Sequence, residues 1–258
     1  MPYKAIRYEF SEGMAVITLN RPEVMNALNA QMRAELLEAL RRAEAEARVI
    51  VLTGEGRAFC SGQDLGDGAS AAGLDLERVL RDEYEPMLKA IYDCPLPVIS
   101  AVNGAAAGAG ANLALAADIV IATDSAVFMQ AFARIGLMPD AGGTYWLPRQ
   151  VGFARAMGLA MFTDKVTARQ AADWGMIWEA VADVDFEHHW RARAAHLAKG
   201  PTAAFGAIKQ SMRASYSNDL TAQLELEAGL QGKLGRTHDF REGVMAFLEK
   251  RAANFEGR

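Results

Sequence analysis

Thiols and imidazoles are scarce in this chain: two cysteines and four histidines occur among 258 residues. Cys60 sits in a glycine-rich turn and Cys94 beside Pro95, so no disulfide framework is expected and a reduced, cytoplasmic setting fits best. His189 and His196 lie on an expected surface helix, and His188 and His238 complete the set. A metal pair wants tighter spacing and acidic company, so no metal is expected. Positive charge is not in excess either, with 27 Lys and Arg against 32 Asp and Glu and a net charge of −5. Scattered cations without a basic stripe argue against a nucleic-acid partner. The opening Met1-Pro2-Tyr3-Lys4-Ala5-Ile6-Arg7 lacks the apolar core and cleavage site of an export signal. The largely apolar stretch 98–122 is broken by Asn103, Asn112 and Asp118, which a bilayer would hold only at high cost, so no membrane partner is expected.

What the chain has instead is a pair of glycine-rich turns, each downstream of a β-branched run. Val49-Ile50-Val51-Leu52-Thr53-Gly54 leads to Ala58-Phe59-Cys60-Ser61-Gly62-Gln63-Asp64-Leu65, and Val98-Ile99-Ser100-Ala101-Val102-Asn103-Gly104 leads to Gly108-Ala109-Gly110-Ala111-Asn112. Neither is a dinucleotide fingerprint, because Phe59 and Leu113 occupy the third glycine position. A phosphate loop and a serine nucleophile elbow are likewise missing. Glycines of this kind serve close packing of strand on helix as readily as close approach of a ligand. Their paired occurrence, with a helix opening just after the second, favours two backbone N–H groups holding one oxygen that gains negative charge.

Hydrophobic periodicity gives the frame. Alternation over residues 5–10 and 14–19, with Glu12-Gly13 between, predicts a hairpin. A helix follows from Asn29, with Met32, Leu36, Leu40 and Ala43 facing a core and Arg33, Glu35, Arg41, Arg42 and Glu46 on the remaining surface. A loop is expected over 66–73 and a helix over 74–92. Residues 111–117 predict a buried helix and 118–122 a short strand. Helices are expected over 155–162 and 168–174, and a strand over 177–181. After Pro201 the pattern is helical, including 220–234 and 240–251. The fold class is α/β, with a core over residues 1–200 and a helical region over 201–258.

At these turns the chain resembles the enoyl-CoA hydratase/isomerase, or crotonase, superfamily. The likeness is carried by Asn20-Arg21-Pro22-Glu23 with Asn26-Ala27-Leu28, the turn from Ala58 to Leu65, the segment from Asn103 to Asp118, and Gly136-Leu137-Met138-Pro139-Asp140-Ala141-Gly142-Gly143-Thr144. It implies a crotonase-like ββα spiral core with a C-terminal helical trimerisation region, assembled as a homotrimer or a dimer of trimers. It also implies an acyl-CoA thioester substrate held by the N–H groups of Gln63 and Ala109. CoA, part of the substrate, would lie along Met25, Ala27, Leu28, Ala58, Ser61, Asp64 and Leu65, with Lys250 reaching the nucleotide of an adjacent subunit. No separate cofactor is implied.

One departure bears on the reaction. Hydratases of the family place two glutamates around the enoyl group, and the matching positions here are Asn112 and Phe132. Neither exchanges a proton with water, so simple hydration is disfavoured. Asp140 supplies a carboxylate instead. Taken alone it reads as a cap for the next helix; set beside the two glycine turns it reads as the base, with Asn112 orienting substrate or a water. Within the family the motifs resemble isomerases that rearrange a ring-epoxidised phenylacetyl-CoA to an oxepin and shift enoyl-CoA double bonds. Phe132, Tyr145 and Trp146 are candidates for an aromatic acyl pocket. A general fatty-acyl Δ3,Δ2-enoyl-CoA isomerase and a non-catalytic acyl-CoA-binding relative remain alternatives.

Overall fold

The computed structural model describes residues 2–66, 73 and 75–258. Most of the expected loop at 66–73, and Leu74 at the start of the expected helix, lie outside the described residues. The chain opens with the hairpin β1 (Ile6–Ser11) and β2 (Met14–Leu19), antiparallel, with Ile6 opposite Leu19 and Ser11 opposite Met14. Its two turn residues, Glu12 and Gly13, both have positive φ (50° and 78°), the conformation whose twist suits a two-residue hairpin.

Helix α1 (Ala30–Glu46) follows, capped by Asn29, whose side chain accepts from Met32 N at 2.9 Å. Its stripe of Met32, Leu36, Leu40 and Ala43 is buried. Arg33 and Glu35, expected on the surface, are buried as well. The reason is that each finds polar partners there: Glu35 accepts the main-chain N–H groups of Lys4 and Ala5 at 2.8 and 2.7 Å, and Arg33 reaches the site described below.

From here the chain runs three times through a long strand and then a short one. The pairs are β3 (Val49–Gly54) and β4 (Ala58–Cys60), β5 (Val98–Val102) and β6 (Ala105–Ala107), and β7 (Ile119–Thr123) and β8 (Val127–Met129). β9 (Val166–Thr167) and β10 (Glu179–Val181) complete the strands. One sheet has the order β1-β2-β3-β5-β7-β10 and the other β4-β6-β8-β9. Each long strand feeds the first sheet and each short strand the second, which is the ββα spiral. The second sheet was not foreseen: its strands have two or three residues, too few for alternation to register. The apolar stretch 98–122 is thus β5, β6, the buried helix α4 below, and the start of β7. No helix among the described residues is long and apolar enough to cross a membrane.

The helical segment before β5 comprises α2 (Leu76–Val79), a π-helical turn (Leu80–Tyr84) and α3 (Glu85–Tyr92). Pro86 explains the bulge, because it has no N–H to give and its ring crowds the carbonyl four residues back; Glu85 N instead reaches Leu80 O. α4 (Ala109–Leu115) is wholly buried and starts two residues earlier than its periodicity suggested. α5 (Gly143–Val151), α6 (Phe153–Phe162) and α7 (Ala168–Asp173) follow. α8 (Phe186–Ala198) lays Phe186, Trp190, Ala194 and Ala198 on the first sheet against Val49, Val51, Ile99 and Ile121, while Ile50 and Leu52 face the main core on the other side. Burial on both faces is why β3 reads as a continuous apolar run. α9 (Thr202–Ala214) and α10 (Leu220–Leu234) bury no side chain within one chain, and α11 (His238–Glu249) buries Asp239 and Ala246.

Passage between sheets depends on bare backbone. A Cβ at Gly104 would sit 2.2 Å from Arg57 O, and one at Gly54 2.4 Å from Ala58 O. Gly104→Ala is expected to destabilise the protein by about 1–3 kcal/mol or more. Gly158→Ala, in α6 with nothing within 4 Å of the new methyl, should be neutral or stabilising by up to about 1 kcal/mol. Urea denaturation of the two variants checks the pair.

Candidate active site

β4 pairs with β6, and β6 with β8, all parallel, so their C-terminal ends leave the second sheet side by side. Ligand sites form at such ends. After β4 come Ser61, Gly62 and Gln63; after β6, Gly108 and Ala109; after β8, Gln130 and Phe132. Gly62 has φ +101°, and a Cβ there would lie 2.9 Å from Ala107 O and 3.5 Å from Ala109 N. Gly108, at φ 52° and ψ −129°, precedes the first residue of α4. The two turns touch. The glycines divide by role: Gly54, Gly104 and Gly110 permit close packing, Gly110 lying where a Cβ would meet Cys60 O at 2.3 Å, whereas Gly62 and Gly108 supply backbone angles that L side chains avoid.

Among the described residues, neither the Gln63 N–H nor the Ala109 N–H has an acceptor. For Ala109 this follows from its place in the first turn of a helix. Gln63 lies in the isolated bridge with Leu28, where Leu28 N donates to Gly62 O and Asp64 N to Leu28 O. Both residues line one cavity of about 270 Å³, together with Gly62, Gly108, Tyr84, Phe132 and Asp140.

Asp140 also lines a second cavity of about 470 Å³, walled by Leu80, Tyr84, Leu88, Tyr92, Tyr145 and Trp146. The last three form an aromatic cluster, with Tyr145 and Trp146 edge to face at 4.8 Å between centroids and Tyr92 5.7 Å from Trp146. Asp140 does not cap α5: Gly142 is the cap residue and no side chain bonds there. Among the described residues its Oδ1 is shielded from water and has no hydrogen-bond partner. Burial pushes the carboxyl up to about 6, because the charged form loses hydration and the hydrogen bond from its own main-chain N–H offsets only part of that loss.

Asn112 and Phe132 occupy the remaining positions of interest. Phe132 is an apolar wall, its ring 3.8 Å from where a Cβ on Gly108 would stand. Asn112, expected to orient substrate or a water, is bonded within the protein and lines neither cavity. Asn112 is fully buried, its Nδ2 donates to Asp140 O at 2.7 Å, and its Oδ1 accepts from Gln130 Nε2 at 2.8 Å. Both ends of the amide are committed to protein groups.

Three contributors escaped sequence reasoning. Arg33 Nη1 donates to Leu28 O at 2.7 Å and to Gln63 Oε1 at 2.9 Å, while its Nη2 pairs with Glu83 at 2.6 Å. Tyr84 OH donates to the same Gln63 oxygen at 2.7 Å, and burial raises its phenol above the ordinary range. Side-chain bonds thus anchor Gln63 from behind and leave its main-chain N–H facing the cavity. Arg33 flanks an apolar stripe and gives no signal in the spacing; Pro86 alone hinted at the bulge that carries Glu83 and Tyr84.

The expected CoA strip is brought together but divides in two. Ser61 N donates to Met25 O at 3.0 Å, and Arg21 Nη1 spans Ala27 O and Asp64 Oδ2, both at 2.7 Å. Ala27, Leu28 and Ala58 are buried and their carbonyls accept from Arg21, from Asp64 and Arg33, and from Asn26. They shape the groove instead of presenting groups to it. Met25 and Leu65 are exposed, and Ser61 and Leu65 line the smaller cavity. Lys250 lies at the exposed C-terminal end of α11 and lines neither cavity.

The profile of the enoyl-CoA hydratase/isomerase family matches residues 9–258. A Rhodobacter capsulatus protein named "Probable enoyl-CoA hydratase" is 74% identical over the full length of both chains. The 1,2-epoxyphenylacetyl-CoA isomerase of Escherichia coli is 47% identical over 96% of each. The crystal structure of an enoyl-CoA hydratase from Polaromonas sp. JS666 superposes with a TM-score of 0.91 at 34% identity, covering 98% of this chain and all of the other. With two glycine turns meeting at one cavity on a crotonase spiral, the chain belongs to the enoyl-CoA hydratase/isomerase family of acyl-CoA enzymes.

Proposed function

We propose that this enzyme is an acyl-CoA isomerase that rearranges 2-(1,2-epoxy-1,2-dihydrophenyl)acetyl-CoA to oxepin-CoA and shifts enoyl-CoA double bonds between the β,γ and α,β positions. The observation that carries this reading is Asp140, the one carboxylate among the described residues lining the smaller cavity, placed where that cavity meets a larger aromatic one. The thioester carbonyl accepts from the Gln63 and Ala109 N–H groups, which acidifies the neighbouring carbon. Asp140 takes a proton from the acyl chain, and the C–H electron pair moves into the enolate. Returning that proton two carbons away shifts the double bond with no atom gained or lost. Each fixed donor contributes about 2.7–4 kcal/mol to such a step, and a placed base about two to four powers of ten.

The similarity to a named epoxyphenylacetyl-CoA isomerase supports the aromatic substrate, as does the Tyr92, Tyr145 and Trp146 wall. The name of the 74% relative favours a second reading, hydration. Against it stand Asn112, whose amide is spent on protein, and Phe132, which holds no proton. For assembly we propose a homotrimer or dimer of trimers in the cytosol. Unburied α9 and α10, with Ile208, Met212, Leu220 and Leu224 exposed, offer the apolar faces, and a neighbouring copy is where Lys250 would meet CoA.

Asp140→Asn should lower turnover at least about a hundredfold while keeping acyl-CoA affinity, measured by product analysis with ring-epoxide and straight-chain enoyl esters. Near-normal turnover would remove Asp140 from the reaction, and 3-hydroxyacyl-CoA as the main wild-type product would favour the hydratase. In the wild type kcat should rise with pH through about 6, since the base acts deprotonated. Stability runs the other way. Unfolded chain releases this proton near pH 3.9 and the fold only near 6, so native stability from this group falls as pH rises across that window. Asp140→Asn should therefore melt above the wild type at pH 7.5 and converge with it near pH 4.

Ala109→Pro deletes one N–H at the first position of a helix, where proline is tolerated. We expect a fall in kcat of about 10²–10³ with native circular dichroism. Unchanged turnover would show that Ala109 N–H holds no oxyanion.

A further inference from the structure

We propose that Asn112 and Gln130 are positioning residues for Asp140, a relay of two buried amides that fixes the base through its own main-chain carbonyl. This rests on the reading of Asp140 as the base. Among the described residues Oδ1 of this carboxylate has no partner, and the bond the carboxyl does receive comes from Asp140's own main-chain N–H, so its place is set by the backbone beneath it. That backbone is an unfavourable turn: Ala141 has φ +47° and Gly142 φ +83°, and a non-glycine residue persists in this region only where its surroundings hold it. Two donors converge on the carbonyl of Asp140, Gly143 N at 2.8 Å and Asn112 Nδ2 at 2.7 Å. The Asn112 amide lies so close to the turn that a Cβ on Gly143 would come within 2.4 Å of Nδ2.

The chemistry of the relay is determined from one end. A main-chain carbonyl only accepts, so Asn112 must turn Nδ2 towards Asp140 and Oδ1 away. That oxygen in turn needs a donor, and Gln130 Nε2 supplies it at 2.8 Å. Gln130 is itself buried, and its Oε1 has no partner. An apolar residue of similar size would avoid that orphaned oxygen, so glutamine stands there for its donor end. Asn112 also lies one helical turn beyond Ala109 in α4. The helix that presents the oxyanion N–H therefore also holds the turn bearing the base, and one rigid element sets the spacing between them.

The test compares Asn112→Leu with the double variant Asn112→Leu/Gln130→Leu. Leu keeps the branching and heavy-atom number of Asn, with somewhat more bulk, and removes both ends of its bond. The single variant strands Gln130 and should lose stability; the double removes both partners and should recover most of it. Both are expected to retain acyl-CoA affinity within about twofold and to lose kcat by about 10–100-fold, the scale of a reacting group misplaced by about 1 Å. The acid limb of kcat should also move from about 6 towards the ordinary carboxylate range as water reaches the released turn. Tyr84, Arg81, Glu85 and Lys89 on one side and Arg134 on the other line the same cavities and remain in place, so a moved limb reports the turn. A stable double variant with kcat within about threefold of wild type and an unmoved limb overturns the relay. Full activity of Asp140→Asn would instead overturn the reading beneath it.

Discussion

The site depends on the parallel pairing of β4 with β6. Strands so paired send their ends out together, and only because Gly54, Gly104 and Gly110 carry no side chain can the second sheet press against its neighbours at 2.2–2.4 Å from where a Cβ would be. The two N–H groups without acceptors are a by-product of that packing: one belongs to a residue in a bent bridge, the other to the first turn of a buried helix. Their direction is thus held by the packed core, and a donor held in this way needs no reorganisation when charge develops opposite it. The side chain of Gln63 is turned to the opposite task, accepting from Arg33 and Tyr84 and pinning its own backbone.

Features with strong local signals were legible in the sequence: the hairpin with its Glu12-Gly13 turn, the stripe of α1, and the long strands β3 and β5. The second sheet was not, because a three-residue strand such as Ala58–Cys60 leaves no periodic trace and is defined by partners far along the chain. Arg33 and Glu35 were misplaced on the surface for a related reason. Their charge suggests water, and only tertiary contacts from Gln63, Glu83 and the first strand reveal that each is satisfied inside. Asp140 stood out as a carboxylate in a glycine-rich turn, yet its burial, which raises its basicity, is a property of the cavity and not of the motif.

A shared frame with different reactions is what this arrangement predicts. The spiral and its N–H pair are backbone features and tolerate many side chains, whereas the reaction is set by which groups meet the frame at a few points. By resemblance, Asn112 and Phe132 correspond to the positions at which the family's hydratases carry acids. One has become part of the scaffold for the opposite wall and the other an apolar surface. High identity to a protein bearing a hydratase name therefore carries the frame with confidence, and the chemistry must be judged at those two positions and at Asp140.

The burial of Asp140 is the point at which stability and function oppose each other. A shielded carboxylate held by little besides its own main-chain N–H weakens the fold at neutral pH, and a capping bond or an ion pair would relieve that cost. Either would also lower its basicity and tie its oxygens away from substrate. The two cavities explain why the cost is borne. In the proposed reaction a thioester oxygen would lie at the paired N–H groups in the smaller one, an aromatic ring would occupy the larger, and the carbon that loses its proton would lie between them. Asp140 lines both, and it can serve that junction only with an oxygen left free, so its position has to come from its main chain.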